Sequence, residues 1–290
     1  MATPREFLQV DVFADRPGAG NGLAVVLDAE GMTPEAMQRF ANWTNLSETT
    51  FVLPAQDPRA EYRLRIFTPR SELPFAGHPS VGTAHALLEA GRFAPADGAL
   101  VQECAAGLLP LRIAGAGDAR TVSVRAPRSR VREATPAAIA RARACVGSAP
   151  MGALAPALVD IGPSFWCVEL ADEPAVRGLA PDLDAIAEVM VADGAVGYAV
   201  FARDGGAGLV VRVFCPADGI PEDPVTGAAN AALAGLLHAR GALGGLGRAW
   251  RVSQGREVGR DGRIDVRVDD EGEVWIGGTS RTVIRGTVAW

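Results

Sequence analysis

Apolar and polar residues alternate over Phe7-Leu-Gln-Val-Asp-Val12, the period of a half-buried strand. The turn Arg16-Pro-Gly-Ala-Gly-Asn-Gly22 and the apolar run Leu23-Ala-Val-Val-Leu27 complete an opening hairpin. Thr33-Pro34-Glu35 combines a hydroxyl cap, a proline and an acid, the start signals of a helix. Met37, Phe40 and Ala41 share one face of that helix, which ends near Asn45. The pattern then predicts strands at 49–53 and 62–67 and a helix running to Ala90, with Gly91 as a left-handed cap. Strands at 99–113 and 120–126, divided by Gly115-Ala-Gly-Asp118, precede a helix over 134–144. The plan then repeats: strands at 156–161 and 165–170, a helix at 182–190, strands at 196–202 and 209–214, and a further helix. Short strands at 249–254, 263–268, 273–277 and 282–288 finish an α+β, strand-rich chain.

Two stretches stand out because they echo each other. Pro74-Phe-Ala-Gly-His-Pro79 and Pro221-Glu-Asp-Pro-Val-Thr-Gly227 each set a titratable residue, His78 or Asp223, directly before a proline. Each follows an apolar strand ending in Phe-X-Pro, at Phe67 and Phe214. The strand ends lie 147 residues apart and His78 and Asp223 lie 145 apart, so the intervening loops differ by two. That offset is half the chain, which reads as two similar halves. Proline suits the first position of a helix, so His78 and Asp223 are expected to be the caps. A helix start leaves backbone N–H groups unpaired and carries partial positive charge, which suits a carboxylate or a developing oxyanion.

At 290 residues with 48% hydrophobic content, the chain can bury a substantial core. A net charge of −6 argues against nucleic acid or an anionic membrane as partner. All 28 basic residues are arginine, which excludes a Schiff-base lysine and a Walker A lysine. Gly244-Gly-Leu-Gly247 lies between a helix and a strand, the wrong context for a phosphate loop. No run is apolar enough for a membrane span, and Met1–Glu6 has no signal core. Four scattered cysteines without a C-x-x-C pair imply a reduced, cytoplasmic protein, and three histidines leave little for a metal site.

The chain resembles the PhzF family of phenazine-biosynthesis-like isomerases over nearly its whole length. The motifs that carry the likeness are Gln9-Val-Asp-Val-Phe13, Asn45-Leu-Ser-Glu-Thr-Thr-Phe51, Arg65-Ile-Phe-Thr-Pro69, Pro74–Pro79, Glu222-Asp-Pro-Val-Thr-Gly227 and Gln254-Gly-Arg-Glu-Val-Gly259. The resemblance implies a diaminopimelate epimerase-like fold: two pseudo-symmetric domains, each a curved, mostly antiparallel sheet around a central helix, with the active site in the cleft. The halves are set at 1–118 and 119–290, with the last strand able to return to the first. The resemblance also implies a homodimer and cofactor-free proton transfer, with Glu48 as acid/base and His78 and Asp223 as site residues. Three positions depart from the family pattern. Ala228 stands where a substrate-contacting serine is usual, Asn21-Gly22 replaces Asn-Pro, and Cys215 replaces alanine.

Each candidate has a plain structural alternative. Glu48 sits where a loop enters a strand, a common place for a solvated glutamate; as a base it needs a raised pKa, which partial burial supplies. His78 and Asp223 could serve only as caps. Asn21 reads either as a turn residue or as a donor to a substrate carboxylate. Gly77, Gly227 and Ala228 are placed for backbone contact with that carboxylate, and Gln254 with Glu257 could add to the cleft wall. His85 and His238 read as structural. The expected activity is a cofactor-independent isomerase acting on a small carboxylic acid, with no metal. The alternatives are a non-catalytic carboxylate-binding protein on the same scaffold, or an epimerase or racemase needing a second base.

Overall fold

The computed structural model describes residues 4–94 and 97–290. The chain divides into two compact units, one of residues 1–125 with 277–290 and one of residues 126–276. Both are mixed α and β, and strands dominate.

The first unit is a sheet closed on itself. Its strands are β1 (Pro4–Val12), β2 (Asn21–Val26), β3 (Glu48–Leu53), β4 (Tyr62–Phe67), the two-residue β5 (Glu72–Leu73), β6 (Ala99–Cys104), β7 (Gly107–Ala114), β8 (Thr121–Arg125) and the last strand of the chain, β17 (Val274–Ala289). Pairing runs antiparallel from β1 to β2, parallel from β2 to β3, antiparallel to β4, parallel to β6, then antiparallel through β7 to β8. β17 pairs with both β8 and β1 and shuts the ring. The sequence pattern splits this last stretch in two, but it forms one strand of 16 residues. Gly277 allows close approach within it, because a Cβ there would lie 2.6 Å from the Val122 carbonyl oxygen.

Inside the ring lies α2 (Gly77–Glu89), buried from Gly77 to Leu87. A helix buried all round has no polar face, and this one is built of small residues where strands press on it. A Cβ at Gly82 would come within 2.5 Å of Val12 and 2.7 Å of Leu23. α1 (Pro34–Thr44), capped by the Thr33 hydroxyl, covers the other face of β3. β3 is therefore buried on both sides: Thr50 accepts from the Thr83 hydroxyl of α2, while Phe51 packs against Phe40 of α1.

The second unit repeats the connectivity. β9 (Arg130–Arg132) precedes α3 (Pro136–Ala144), β10 (Ala157–Asp160), β11 (Ser164–Glu169), α4 (Glu173–Arg177), α5 (Leu183–Asp193), β12 (Gly197–Arg203), β13 (Leu209–Cys215), β14 (Ile220–Asp223), α6 (Gly227–Ala239), β15 (Ala249–Gln254) and β16 (Gly262–Val268). From β10 to β16 the order antiparallel, parallel, antiparallel, parallel, antiparallel matches that from β1 to β7. α6 holds the place of α2 and is likewise buried, while α3 and α5 pack on Trp166, Tyr198 and Phe214.

The titratable motif residues do not cap these helices. α2 begins one residue before His78, its cap position is Ala76, and Pro79 is its third residue. α6 begins four residues after Asp223, with Thr226 at the cap position. Pro79 lies within the first turn of α2, where N–H groups have no helical partner and proline is tolerated, whereas Pro224 lies before α6 in the turn that leads into it, so neither proline marks the first helical residue.

Candidate active site

Strand parity brings Glu48 to the helix. Residues 48 and 50 share one face of β3. Thr50 meets Thr83 on α2 at 2.9 Å, and Glu48 reaches the start of the same helix. There Glu48 Oε2 and His78 Nε2 lie 3.1 Å apart, with side chains only 15% and 5% exposed. The two buried atoms face each other without the alignment of a regular hydrogen bond. Burial drives the His78 pKa down to about 3. The ring is therefore neutral near pH 7, and the contact joins a carboxyl group to an uncharged imidazole.

Ser47 and Asn21 support this corner. Asn21 opens β2 and is buried, and its side-chain oxygen accepts from the Ser47 hydroxyl at 2.8 Å. Leu23, two residues on, stands opposite Glu48 in the parallel ladder. One oxygen of Asn21 thus holds the residue before the carboxylate. Gly77, next to His78, is the first residue of α2, and no side chain caps that end.

In the second unit, Asp223 closes β14 opposite Val213 and is buried. Its Oδ2 accepts from the Thr226 hydroxyl at 2.5 Å. Gln254, wholly buried, ties the turn together: Nε2 donates to the Asp223 carbonyl at 3.0 Å and to Thr226 Oγ1 at 2.9 Å. Its Oε1 accepts from Thr226 N and Asn230 Nδ2, both at 3.1 Å. Gly227 and Ala228 are the first two residues of α6. Sequence reasoning missed Ser47 and Thr226 as partners and assigned Gln254 a wall position, although all three lie inside the quoted motifs. Glu257 pairs with Arg177 at 2.9 Å. His85 sits near the far end of α2 beside Glu89 and Thr282.

A cavity of about 330 Å³ between α1, β3 and β4, lined by Met32, Met37, Leu53 and Arg63, contains none of the candidate residues. Among the described residues no cluster of three or more His, Cys, Asp or Glu side chains is placed to hold a metal. No helix among them is long and apolar enough to cross a membrane.

Residues 10–286 match the model of the phenazine biosynthesis-like protein family, PhzC-PhzF. The chain belongs to that family. Among the relatives of this PhzF protein is the trans-2,3-dihydro-3-hydroxyanthranilate isomerase of Pseudomonas aeruginosa, 36% identical over 92% of this chain and 91% of its own. Antisense-enhancing sequence 1 of Schizosaccharomyces pombe is 34% identical over 98% of both chains. A solved predicted epimerase from Pseudomonas aeruginosa superposes with a TM-score of 0.82 at 32% identity, over 99% of each chain. PhzF relatives named for an activity are isomerases, and the present chain is an enzyme of that class.

Proposed function

We propose that this PhzF protein is a cofactor-independent isomerase that moves a proton between two carbons of a small carboxylic acid, with Glu48 as the base. The observation that supports this reading most is the 3.1 Å contact between Glu48 Oε2 and a buried, neutral His78. A carboxylate among buried groups is less hydrated than one in water, which favours proton abstraction. Neutral His78 withdraws no charge from the base, and its N–H can orient the carboxylate or the substrate. Glu48 takes a proton from a carbon activated by a carbonyl, a carboxylate or a conjugated alkene. It returns the proton at another carbon of the same face. Backbone N–H groups at Gly77 and His78, at the uncapped start of α2, are proposed to hold the acid and to stabilise negative charge as it develops. Asp223, Gly227 and Ala228 are proposed as further substrate contacts on the strength of their motif, with Asp223 able to carry a proton. Asn21 is proposed to support Glu48 through Ser47. The proposed setting is the cytoplasm, and the proposed assembly is a homodimer, which light scattering on purified protein would read.

An epimerase is the second reading, favoured by the likeness to the predicted epimerase. Epimerisation needs two bases on opposite faces of one carbon, so it predicts exchange without double-bond migration. The test is proton–deuterium exchange by NMR in heavy water. The panel holds β,γ-unsaturated, cyclic and amino acids, and includes trans-2,3-dihydro-3-hydroxyanthranilate, the compound named for the relative. Deuterium incorporation with double-bond migration in wild type, and neither in Glu48→Gln, supports the proposal, whereas exchange at one carbon without migration supports the epimerase. Ligand-induced shifts in both proteins with no exchange in either would leave only a carboxylate-binding protein.

A further inference from the structure

The two units repeat a smaller device as well. On β4 the Arg65 guanidinium lies over the Phe67 ring, 5.1 Å from its centroid. It grips Glu72 of β5 with two bonds, 2.7 Å from Nε and 2.6 Å from Nη2. On β13 Arg212 lies over Phe214 at the same 5.1 Å. It grips Glu222 of β14 through Nε at 3.0 Å and Nη2 at 2.8 Å. Each glutamate lies on the short strand that leads into a motif helix. A planar guanidinium matches a carboxylate in this two-pronged geometry, and a lysine ammonium does not.

The copies differ in burial. Side-chain exposures are 22% and 37% for Arg65 and Glu72, but only 7% and 9% for Arg212 and Glu222. Arg212 Nη1 also donates to the carbonyls of Val176 at 3.2 Å and Leu179 at 2.6 Å, at and just beyond the end of α4. Desolvation offsets much of the attraction in a buried pair, so such a pair contributes more to fixed geometry than to stability. Here the geometry concerns Asp223. It follows Glu222 directly and stands opposite Val213, the residue between Arg212 and Phe214.

We propose that the Arg212–Glu222 pair is a positioning device for Asp223, which locks β14 so that the Asp223 carboxylate is presented in one orientation. Arg65–Glu72 is its looser counterpart before His78. The inference rests on the reading of Asp223 as a site residue, and it makes Arg212 and Glu222 positioning residues.

The experiment uses full-length protein carrying 13C-carboxyl aspartate, with the Asp223 signal assigned from its absence in Asp223→Asn. Its titration is followed in wild type, Arg212→Lys, Glu222→Gln and Arg65→Lys, and thermal melts confirm that each is folded. Glu222→Gln leaves the two carbonyl bonds of Arg212 in place, so it serves as the second variant if Arg212→Lys does not fold. The Asp223 midpoint is expected to move by about half a pH unit or more in the Arg212 and Glu222 variants, and to stay in place in Arg65→Lys. With any panel acid that wild type exchanges, kcat should fall about tenfold to a hundredfold while KM changes less than about twofold. An Asp223 midpoint that stays in place in the folded variants overturns the proposal. If wild type exchanges no acid at all, the isomerase reading fails by itself, and the titration still decides the role of the pair.

Discussion

The proposed chemistry rests on a few side chains whose surroundings differ from water. For Glu48→Gln the expected loss of exchange is about a hundredfold or more, the usual worth of a positioned general base. His78 makes a separate, signed prediction about stability. Its folded pKa, about 3, lies below the ordinary 6.5. Above pH 6.5 the ring is neutral folded or unfolded and contributes nothing; as pH falls toward 3, only the unfolded chain gains the proton. At pH 5 this should cost about 2 kcal/mol relative to pH 7.5, a cost absent in His78→Asn. Urea midpoints of both proteins at the two pH values check it. The same depressed pKa means that His78 supplies no limb of the rate profile between pH 5 and 8. A fall in rate at low pH then belongs to a carboxylate. His78 and Asp223 stand out as candidates because each is a titratable residue directly before a proline, whereas Glu48, between Ser47 and Thr49, is singled out only by the resemblance of its motif. Ser47, Thr226 and Gln254 act through hydrogen bonds to neighbours up to 31 residues away, and no local pattern marks such contacts.

Among the elements, most strands and the amphipathic helices follow their patterns, although 99–113 divides into β6 and β7 and the last two expected strands join as β17, whereas the two buried helices do not behave like surface ones. α1 announces itself by Thr33, Pro34 and an apolar stripe, and the structure bears this out. α2 and α6 have almost no stripe, because strands surround them; their small residues mark close packing instead. Gly82→Ala tests this directly. A methyl group there would collide with the Val12 and Leu23 side chains inside the first unit. Overpacking of that kind costs about 1–3 kcal/mol, so a lowered melting temperature is expected although alanine favours helix. An unchanged or raised melting temperature would show that β1 and β2 give way easily. The short pieces β5, β9, β14 and α4 escape the sequence reading. Runs of two to five residues have no measurable period, and they form only against partners already in place.

At the scale of the whole molecule, the first unit is completed by residues from the far end of the chain. Deleting residues 277–290 removes the strand between β8 and β1. Hydrogen exchange should then show lost protection throughout α2, while α6 in the second unit keeps most of its own. Equal loss in both helices would mean that the units fold as one. The chain leaves the first unit after Arg125 and returns at Gly277, and Ala126 N donates to the Val274 carbonyl oxygen at 2.9 Å near those two crossings. This has a consequence for the order of events on the ribosome. The second unit is made as one uninterrupted stretch and can fold as it emerges. The first, although translated earlier, must wait as an open sheet for its final strand. At about 5–20 residues per second the delay is on the order of ten seconds or more. The part that carries Glu48 and His78 is thus the first to be synthesised and the last to close, and a nascent chain halted before residue 277 should be a target for chaperones.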